Sequence, residues 1–501
     1  MTKRALIGLC LVLSTSWPAL AQTDYYALFM DGKKIGRIIH TRSVWAGKVT
    51  TVHDSSFTMS RLGTPLTQAM TETCVETADG KPLSFKIVEQ SGSTTMKTEG
   101  TIDASGALHV TISSLGSVEK RTVNWPMGAV LSEGSRLRTP KGGPKPGTTY
   151  ETLAFSPNTL QMARAKVTIG QKKQVDLFGR IVMLTEVTTE TNDSDGSRTT
   201  KTSYVDENMR ALKSRIVAID GMLVEVIACS QDIAMGPNDK LDIVDKMFVK
   251  SPEPISNVHS ATSITYTLSL APEVKLAIPS TDNQKVQVLA DGRILLTVEP
   301  VAPIGGLLLY RSNNATLREA TKPTPFLQSD REEIVALARK AIGDTTDSVE
   351  AAKKIEAFVA GYIKNYSLSV AHASAAEVAE SREGDCTEFA VLTAALCRAV
   401  GIPAQVCSGV AYVDVFRQSS GSYAPGFVGH SWTQAYVGVD AQGKNGKWIG
   451  LDATFKRSGQ SGYDAGHITL EIDNGEPGSS YNLAVFLSQV KIEKIEVQRG
   501  R

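Results

Sequence analysis

The segment Ser381-Arg382-Glu383-Gly384-Asp385-Cys386-Thr387-Glu388-Phe389-Ala390 carries the first grouping suited to covalent chemistry. Gly384-Asp385 interrupts the chain. Phe389, Leu392 or Thr393, Leu396 and Val400 then recur at helical spacing, which sets Cys386 in the first turn of a helix. The thiolate, not the thiol, is the nucleophile, and a helix N-terminus favours negative charge. Unpaired backbone N–H groups at the same place suit a developing oxyanion. A lone cysteine opening a helix also describes a small buried residue, so the segment needs partners. Gly401-Ile402-Pro403 stops the helix, and Ala404-Gln405-Val406-Cys407-Ser408-Gly409-Val410 reads as a strand. A loop is expected from Gln418 to Gly429, with His430 opening the alternating strand His430-Ser431-Trp432-Thr433-Gln434-Ala435-Tyr436-Val437. After an Asn445-Gly446 turn comes Trp448-Ile449-Gly450-Leu451-Asp452-Ala453-Thr454. A hairpin of these two strands brings His430 and Asp452 together. Cysteine, histidine and carboxylate in that order form a constellation for thiol catalysis: the imidazole takes the thiol proton and the carboxylate orients the ring.

From about Pro323 to Leu470 the sequence resembles the transglutaminase-like superfamily, which shares a papain-like catalytic arrangement. The resemblance rests on Arg382-Glu383-Gly384-Asp385-Cys386-Thr387-Glu388-Phe389-Ala390, Leu396-Cys397-Arg398-Ala399-Val400-Gly401-Ile402-Pro403-Ala404, His430-Ser431-Trp432 and Trp448-Ile449-Gly450-Leu451-Asp452-Ala453-Thr454. Gln405 stands where arginine is common in the family, and Ser431 where alanine is common. Neither change removes a reacting group. The resemblance implies Cys386 as nucleophile, His430 as general base and acid, and Asp452 as orienting carboxylate, acting on amide bonds of a protein or peptide substrate. Water as acceptor gives a protease or amidase; an amine gives a transglutaminase. A different class stays open: a cell-envelope binding or scaffold protein that keeps the fold without turnover.

Two helices should precede the cysteine. Ser329 caps one that begins at Asp330, with Glu332 and Glu333 in its first turn, Ile334, Leu337, Ala338 and Ala341 on its apolar face, and Gly343 at its end. Asp347 opens the second, whose stripe runs through Val349, Ala352, Ile355, Val359, Tyr362, Ile363 and Tyr366. The part from Gln22 to about residue 250 reads as β throughout. Strand-like runs such as Ile181–Val187 alternate with turn clusters at Asp31-Gly32, Asp79-Gly80, Asn192–Gly196 and Asp220-Gly221. The Pro- and Gly-rich run 139–147 is a loop and a candidate boundary between two sheets. Ser251-Pro252-Glu253-Pro254 makes a linker before a second β stretch, Ser256 to Leu309, with a hairpin signal at Asp291-Gly292. The expected organisation is α+β overall: a signal peptide at 1–21, β-rich material at 22–250, a β-rich linker or small β domain at 251–322, and a transglutaminase-like domain at 323–501.

The whole chain has 501 residues, enough for two to four domains. Lys+Arg is 53 and Asp+Glu 52, so no electrostatic footprint for nucleic acid exists. Lys3 and Arg4, the apolar run Ala5–Leu13 and Ala19-Leu20-Ala21 have the order of a secretory signal cut after Ala21. The run is too short to span a bilayer, and no later segment spans, so a soluble protein exported to a periplasm or cell exterior is expected. Five cysteines follow the cut: Cys74, Cys229, Cys386, Cys397 and Cys407. An odd number leaves at least one thiol free. Cys397 lies about 16 Å along the helix from Cys386, too far for a bond. Cys397 with Cys407, across the Gly401-Ile402-Pro403 turn, is one open pairing and Cys74 with Cys229 another. His40, His53, His109, His259 and His372 read as surface or packing residues. His467 follows the other three site residues and either lines the cleft or serves the structure. No cofactor is expected, and no His, Cys and carboxylate cluster at metal-ligand spacing is present in the sequence.

Overall fold

The computed structural model describes residues 20–500 except 62–63, 92–93, 115–116, 139–144, 193–197, 218–221, 272–275, 309–313, 369–372, 419–420, 442–443, 461 and 476–480. Residues 1–19 of the expected signal peptide, most of the expected Asn192–Gly196 turn, the expected Asp220-Gly221 turn, and His372 lie outside the described residues. Among the described residues no helix is long and apolar enough to cross a membrane.

The first part of the chain forms one fourteen-stranded antiparallel sheet. Eight strands, Leu20–Met30 to Ser117–Asn124, meander outward one way, and six, Thr149–Ser156 to Leu223–Cys229, meander back. The first strand pairs with the last through Tyr25↔Cys229, so the chain starts in the middle of its own sheet. Period-two burial drives these strands: Leu108, Val110 and Ile112 turn inward along Ala107–Ser114 while His109 turns out. Most of the candidate boundary 139–147 lies outside the described residues; the strands on either side of it, Ser117–Asn124 and Thr149–Ser156, are the two edges of one sheet. Those edges approach each other. Val130, just beyond the eighth strand, exchanges backbone hydrogen bonds with Leu153 and Phe155 on the opposite edge strand. Phe155 packs against Phe85 and Trp125 at ring-centroid distances of 5.9 and 4.7 Å. Closing edges in this way removes the unpaired N–H and C=O rows that invite aggregation.

The rest of the chain is one packed unit. Its first sheet runs in the order Phe248–Lys250, Tyr423–Val437, Ala404–Arg417, His467–Asp473, and Lys447–Leu451 pairs with the far end of Tyr423–Val437. Its second sheet runs Gln284–Val288, Ile294–Val298, Ala261–Ser269, Lys491–Arg499. One apolar core joins the two: Ile264, Tyr266, Leu296 and Ile495 pack with Val410, Phe427 and Ile468. Residues 251–322, expected as a linker or separate small domain, thus build a sheet completed by the last strand of the chain. Phe248–Lys250, expected with the first β part, forms an edge of the sheet that carries His430. A second core lies on the helical side, where Glu332–Ile342, Ser348–Tyr362 and Cys386–Ala399 pack around Ile334, Ile355, Leu392 and Leu396. The first two helices form where expected, but the first starts at Glu332 behind Arg331 rather than at Asp330 behind Ser329, and the second ends at Tyr362, leaving Tyr366 in a short strand. Gly343 ends one at φ +61°, a backbone setting that favours glycine, and the Asp347 side chain accepts from Glu350 N at 2.8 Å to open the next.

Candidate functional site

Cys386 is the first residue of its helix, as the spacing predicts. The turn ahead of it is held by a capping box the sequence reading did not use, Asp385-x-x-Glu388. The Asp385 carboxylate accepts from Thr387 N at 3.0 Å, and Glu388 accepts from Asp385 N at 2.8 Å and Ala373 N at 3.1 Å. Glu388 is fully buried, and burial followed by the Asp385 charge pushes its carboxyl well above the usual range. Gly384 is required by this packing: a Cβ there would come within 2.3 Å of Glu388 Cβ.

His430 is not at the start of its strand. The expected loop Gln418–Gly429 is strand from Tyr423 onward, giving Tyr423–Val437. The reason is tertiary. Ala404–Arg417 extends the hairpin to Arg417↔Tyr423, and Phe248–Lys250 adds pairing on the other side through Phe248↔Val428. Thr433, three residues on, donates its hydroxyl to Ala390 O at 2.8 Å and so ties the histidine strand to the cysteine helix. Arg398, buried at the other end of that helix, spends its guanidinium on Ala404 O, Lys322 O and Asn474 Oδ1 at 2.6–2.8 Å.

The hairpin between Tyr423–Val437 and Lys447–Leu451 forms in the register Tyr436↔Trp448 and Thr433↔Leu451. It delivers Asp452 to His430, with His430 Nε2 and Asp452 Oδ2 2.8 Å apart. Cys386 lies near enough to the His430 ring to help hold its proton. All three residues named from sequence therefore meet. Cys386 is half-buried, while His430 and Asp452 are 5% and 1% exposed. Burial by itself would lower the His430 pKa; the Asp452 charge and hydrogen bond, with Cys386, outweigh it and raise it to about 9. Burial would raise Asp452, but His430 and then His467 hold it well below the usual carboxylate range.

Asp452 does more than orient one ring. Its Oδ1 accepts from Thr454 N at 2.9 Å and Phe455 N at 3.0 Å, capping the short helix Ala453–Arg457. Its own N–H donates to Glu356 Oε1 at 2.7 Å. Burial lifts Glu356 to about 7. Its Oδ2 also meets His467 Nε2 at 3.0 Å. Asp464, unassigned from sequence, and His259, read there as a surface or packing residue, lie behind His467. His467 Nδ1 to Asp464 Oδ1 is 3.0 Å, and His259 Nδ1 to Asp464 Oδ2 is 2.5 Å. Asp464-x-x-His467 was the available sequence signal. Sequence spacing showed no ligand cluster, yet the fold gathers one, since ligand atoms of His430, Asp452 and His467 all lie within 4.8 Å of one another. Both imidazole nitrogens meet the same oxygen at N–H···O length, the geometry of a shared hydrogen-bond acceptor.

The remaining candidates sort plainly. The five cysteines among the described residues are free thiols, so neither Cys397 with Cys407 nor Cys74 with Cys229 is bonded; Cys74, Cys397 and Cys407 are buried and Cys229 is half-buried. Trp432 is buried against the site. His40 and His53 stack on each other in the first sheet with centroids 4.5 Å apart, and His109 pairs with Asp103 at 2.9 Å.

Residues 335–453 match the model of the transglutaminase-like superfamily, so the C-terminal third of the chain holds a transglutaminase-like core. No curated protein matches the chain. Nine chains of solved structures match parts of this one, among them the following three. One is named a "Putative Cysteine Protease" of Cytophaga hutchinsonii, with 18% identity and TM-score 0.28, covering 48% of this chain and 86% of that one. Another is the periplasmic domain of TgpA from Pseudomonas aeruginosa, with 15% identity and TM-score 0.26, covering 42% and 88%. A third is a β-barrel-like protein of a domain of unknown function from Brucella abortus, with 13% identity and TM-score 0.32, covering 42% and 95%. The family assignment rests on the match at 335–453 alone.

Proposed function

We propose that this chain is an exported thiol enzyme that transfers acyl groups from amide bonds of proteins or peptides through a thioester on Cys386. The observation that carries the reading is His430 hydrogen-bonded to Asp452, with Cys386 beside the imidazole at the N-terminus of a helix. Export rests on the charged, apolar and Ala19-Leu20-Ala21 order at the start of the sequence.

The steps follow from the groups present. Cys386 Sγ, its proton passed to His430, adds to the amide carbonyl carbon. The helix N-terminus at Cys386 favours the negative charge of the oxyanion that forms. Collapse breaks the C–N bond, and the amine leaves with the proton from His430. An acceptor then adds to the thioester carbonyl while His430 takes the acceptor's proton. The C–S bond breaks, and the proton returns to sulfur. Water yields hydrolysis and an amine yields a crosslink; we favour hydrolysis of peptide or isopeptide bonds. Asp452 stabilises imidazolium throughout and is not consumed.

An electrophilic amide probe tests the reading. Wild type should be labelled at Cys386. Labelling should vanish in Cys386→Ala and fall about 10²–10⁴-fold in His430→Ala, the range for a lost general base. Absence of labelling at wild-type Cys386 would leave a binding protein that keeps the fold. Mass spectrometry of products from a mixed peptide and amine pool separates hydrolysis from crosslinking.

A further inference from the structure

We propose that His467 is a positioning residue of this site: it donates to the same Asp452 oxygen as His430, and Asp464 holds it there. The inference rests on the acyl-transfer reading above and extends it to residues outside the matched core 335–453.

Asp452 accepts on both oxygens. Oδ1 takes two backbone N–H groups, and Oδ2 takes His430 and His467 at 2.8 and 3.0 Å. A buried carboxylate satisfied on both sides can neither rotate nor readily take a proton. Removing His467 leaves Oδ2 with the catalytic imidazole as its single partner among these contacts, at a position 1% exposed. The carboxyl then accepts protons at higher pH and ceases to be an anion for His430.

His467 is built to stay in place. It is fully buried, with Trp432, Tyr463 and Phe455 rings at centroid distances of 5.2, 4.8 and 5.1 Å. Its strand runs beside Ala404–Arg417 through Ala411↔His467, and that strand pairs with the histidine strand through Gly409↔His430. A side chain at Gly409 would meet Ile468 O at 2.0 Å and Trp432 at 2.9 Å, so the sheet closes around both imidazoles because that position is glycine. Nδ1 faces Asp464, which places the imidazole between two carboxylates. The ionisable groups facing it are Asp452, Asp464, His430 and the Tyr463 phenol. Burial opposes its charge, but hydrogen bonds to Asp452 and Asp464 raise its pKa to about 9. His259, with 29% side-chain exposure, bonds the other Asp464 oxygen and ties the line to the segment before the core.

The test uses the full chain with iodoacetamide, reading Cys386 alkylation by mass spectrometry from pH 5 to 9, and thermal unfolding alongside. In His467→Leu the rate at pH 7 should fall about tenfold and the acid limb should move up by about one pH unit, the scale of a lost partner to an orienting group. His467→Gln, which keeps a side-chain N–H donor, should stay within about threefold of wild type. If His467→Leu does not fold, Asp464→Asn decides: a smaller upward shift of the same limb supports the role and an unshifted limb overturns it. A folded Leu variant that alkylates like wild type at every pH overturns the inference and leaves the acyl-transfer reading standing. Equal slowing in the Leu and Gln variants with an unshifted limb overturns it in favour of packing. A change in the wild-type rate on adding EDTA overturns it in favour of a metal held by the three ligands. A wild-type Cys386 no faster than glutathione overturns the acyl-transfer reading, and this role with it.

Discussion

Asp452 divides its oxygens between two tasks, capping a helix with one and accepting from two imidazoles with the other. That division explains why a short helix follows the carboxylate: the cap holds the carboxyl plane still while the second oxygen works on the rings. His430 titration reports it directly. With Asp452 present its imidazole should stay protonated up to about pH 9, followed by NMR of the ring protons. In Asp452→Asn the anion is gone while burial remains, so the ring should titrate below its ordinary value of about 6.5. Both buried imidazoles have folded pKa values raised to about 9. The stability they contribute is complete below about 6.5 and is lost as pH rises through about 9, so denaturant midpoints should fall across that window.

The helix that starts at Cys386 depends on the carboxyl inside its first turn. Glu388 satisfies two buried backbone N–H groups, those of Ala373 and Asp385, and so joins the cysteine turn to the segment before it. Glu388→Ala leaves both unpaired at about 1–3 kcal/mol each. Urea unfolding should show a loss of that size, and Glu388→Gln, which keeps one acceptor, should lose less. A variant as stable as wild type would contradict the capping role. The Arg398 side chain does the corresponding work at the other end of the helix, bonding the carbonyl of Ala404 at the start of the next strand. The two motif segments around Cys386 and Arg398 are thus the two ends of one helix, each anchored by a buried charged-type side chain.

At the scale of the molecule, the unit that carries the site begins before the matched core and ends at the last strand. Phe248–Lys250 extends the histidine strand's sheet, and Lys491–Arg499 pairs with Ala261–Ser269 across more than two hundred positions. We therefore expect a fragment spanning residues 244–500 to fold alone and react at Cys386 with an amide probe. A fragment spanning 323–501 lacks three of the four strands of the second sheet and should not unfold cooperatively. Circular dichroism melts of the two fragments check this. A cooperative melt of the shorter one would return the boundary to between residues 322 and 323.

The sequence alone was sufficient to single out Cys386, His430 and Asp452, which the fold gathers, because each sits beside local signals: a glycine break before Cys386, alternation after His430, a turn before Asp452. It also located the two helices ahead of the cysteine and the Asp347 cap of the second, since apolar stripes and that cap are local properties of the chain; the expected Ser329 cap of the first is not used. Four features were decided by tertiary structure. The strand around His430 is longer than its Ser- and Gly-rich sequence suggests because two neighbours pair with it. The first β part is one curled sheet because Phe155 and Val130 meet residues from the opposite edge. The second small sheet is completed by a strand from the far end of the chain. His467 and Asp464 join the site because three adjacent strands set them behind Asp452. Each of these depends on contacts between positions far apart in sequence, and burial and pairing energies at such contacts leave no periodic trace in either partner alone.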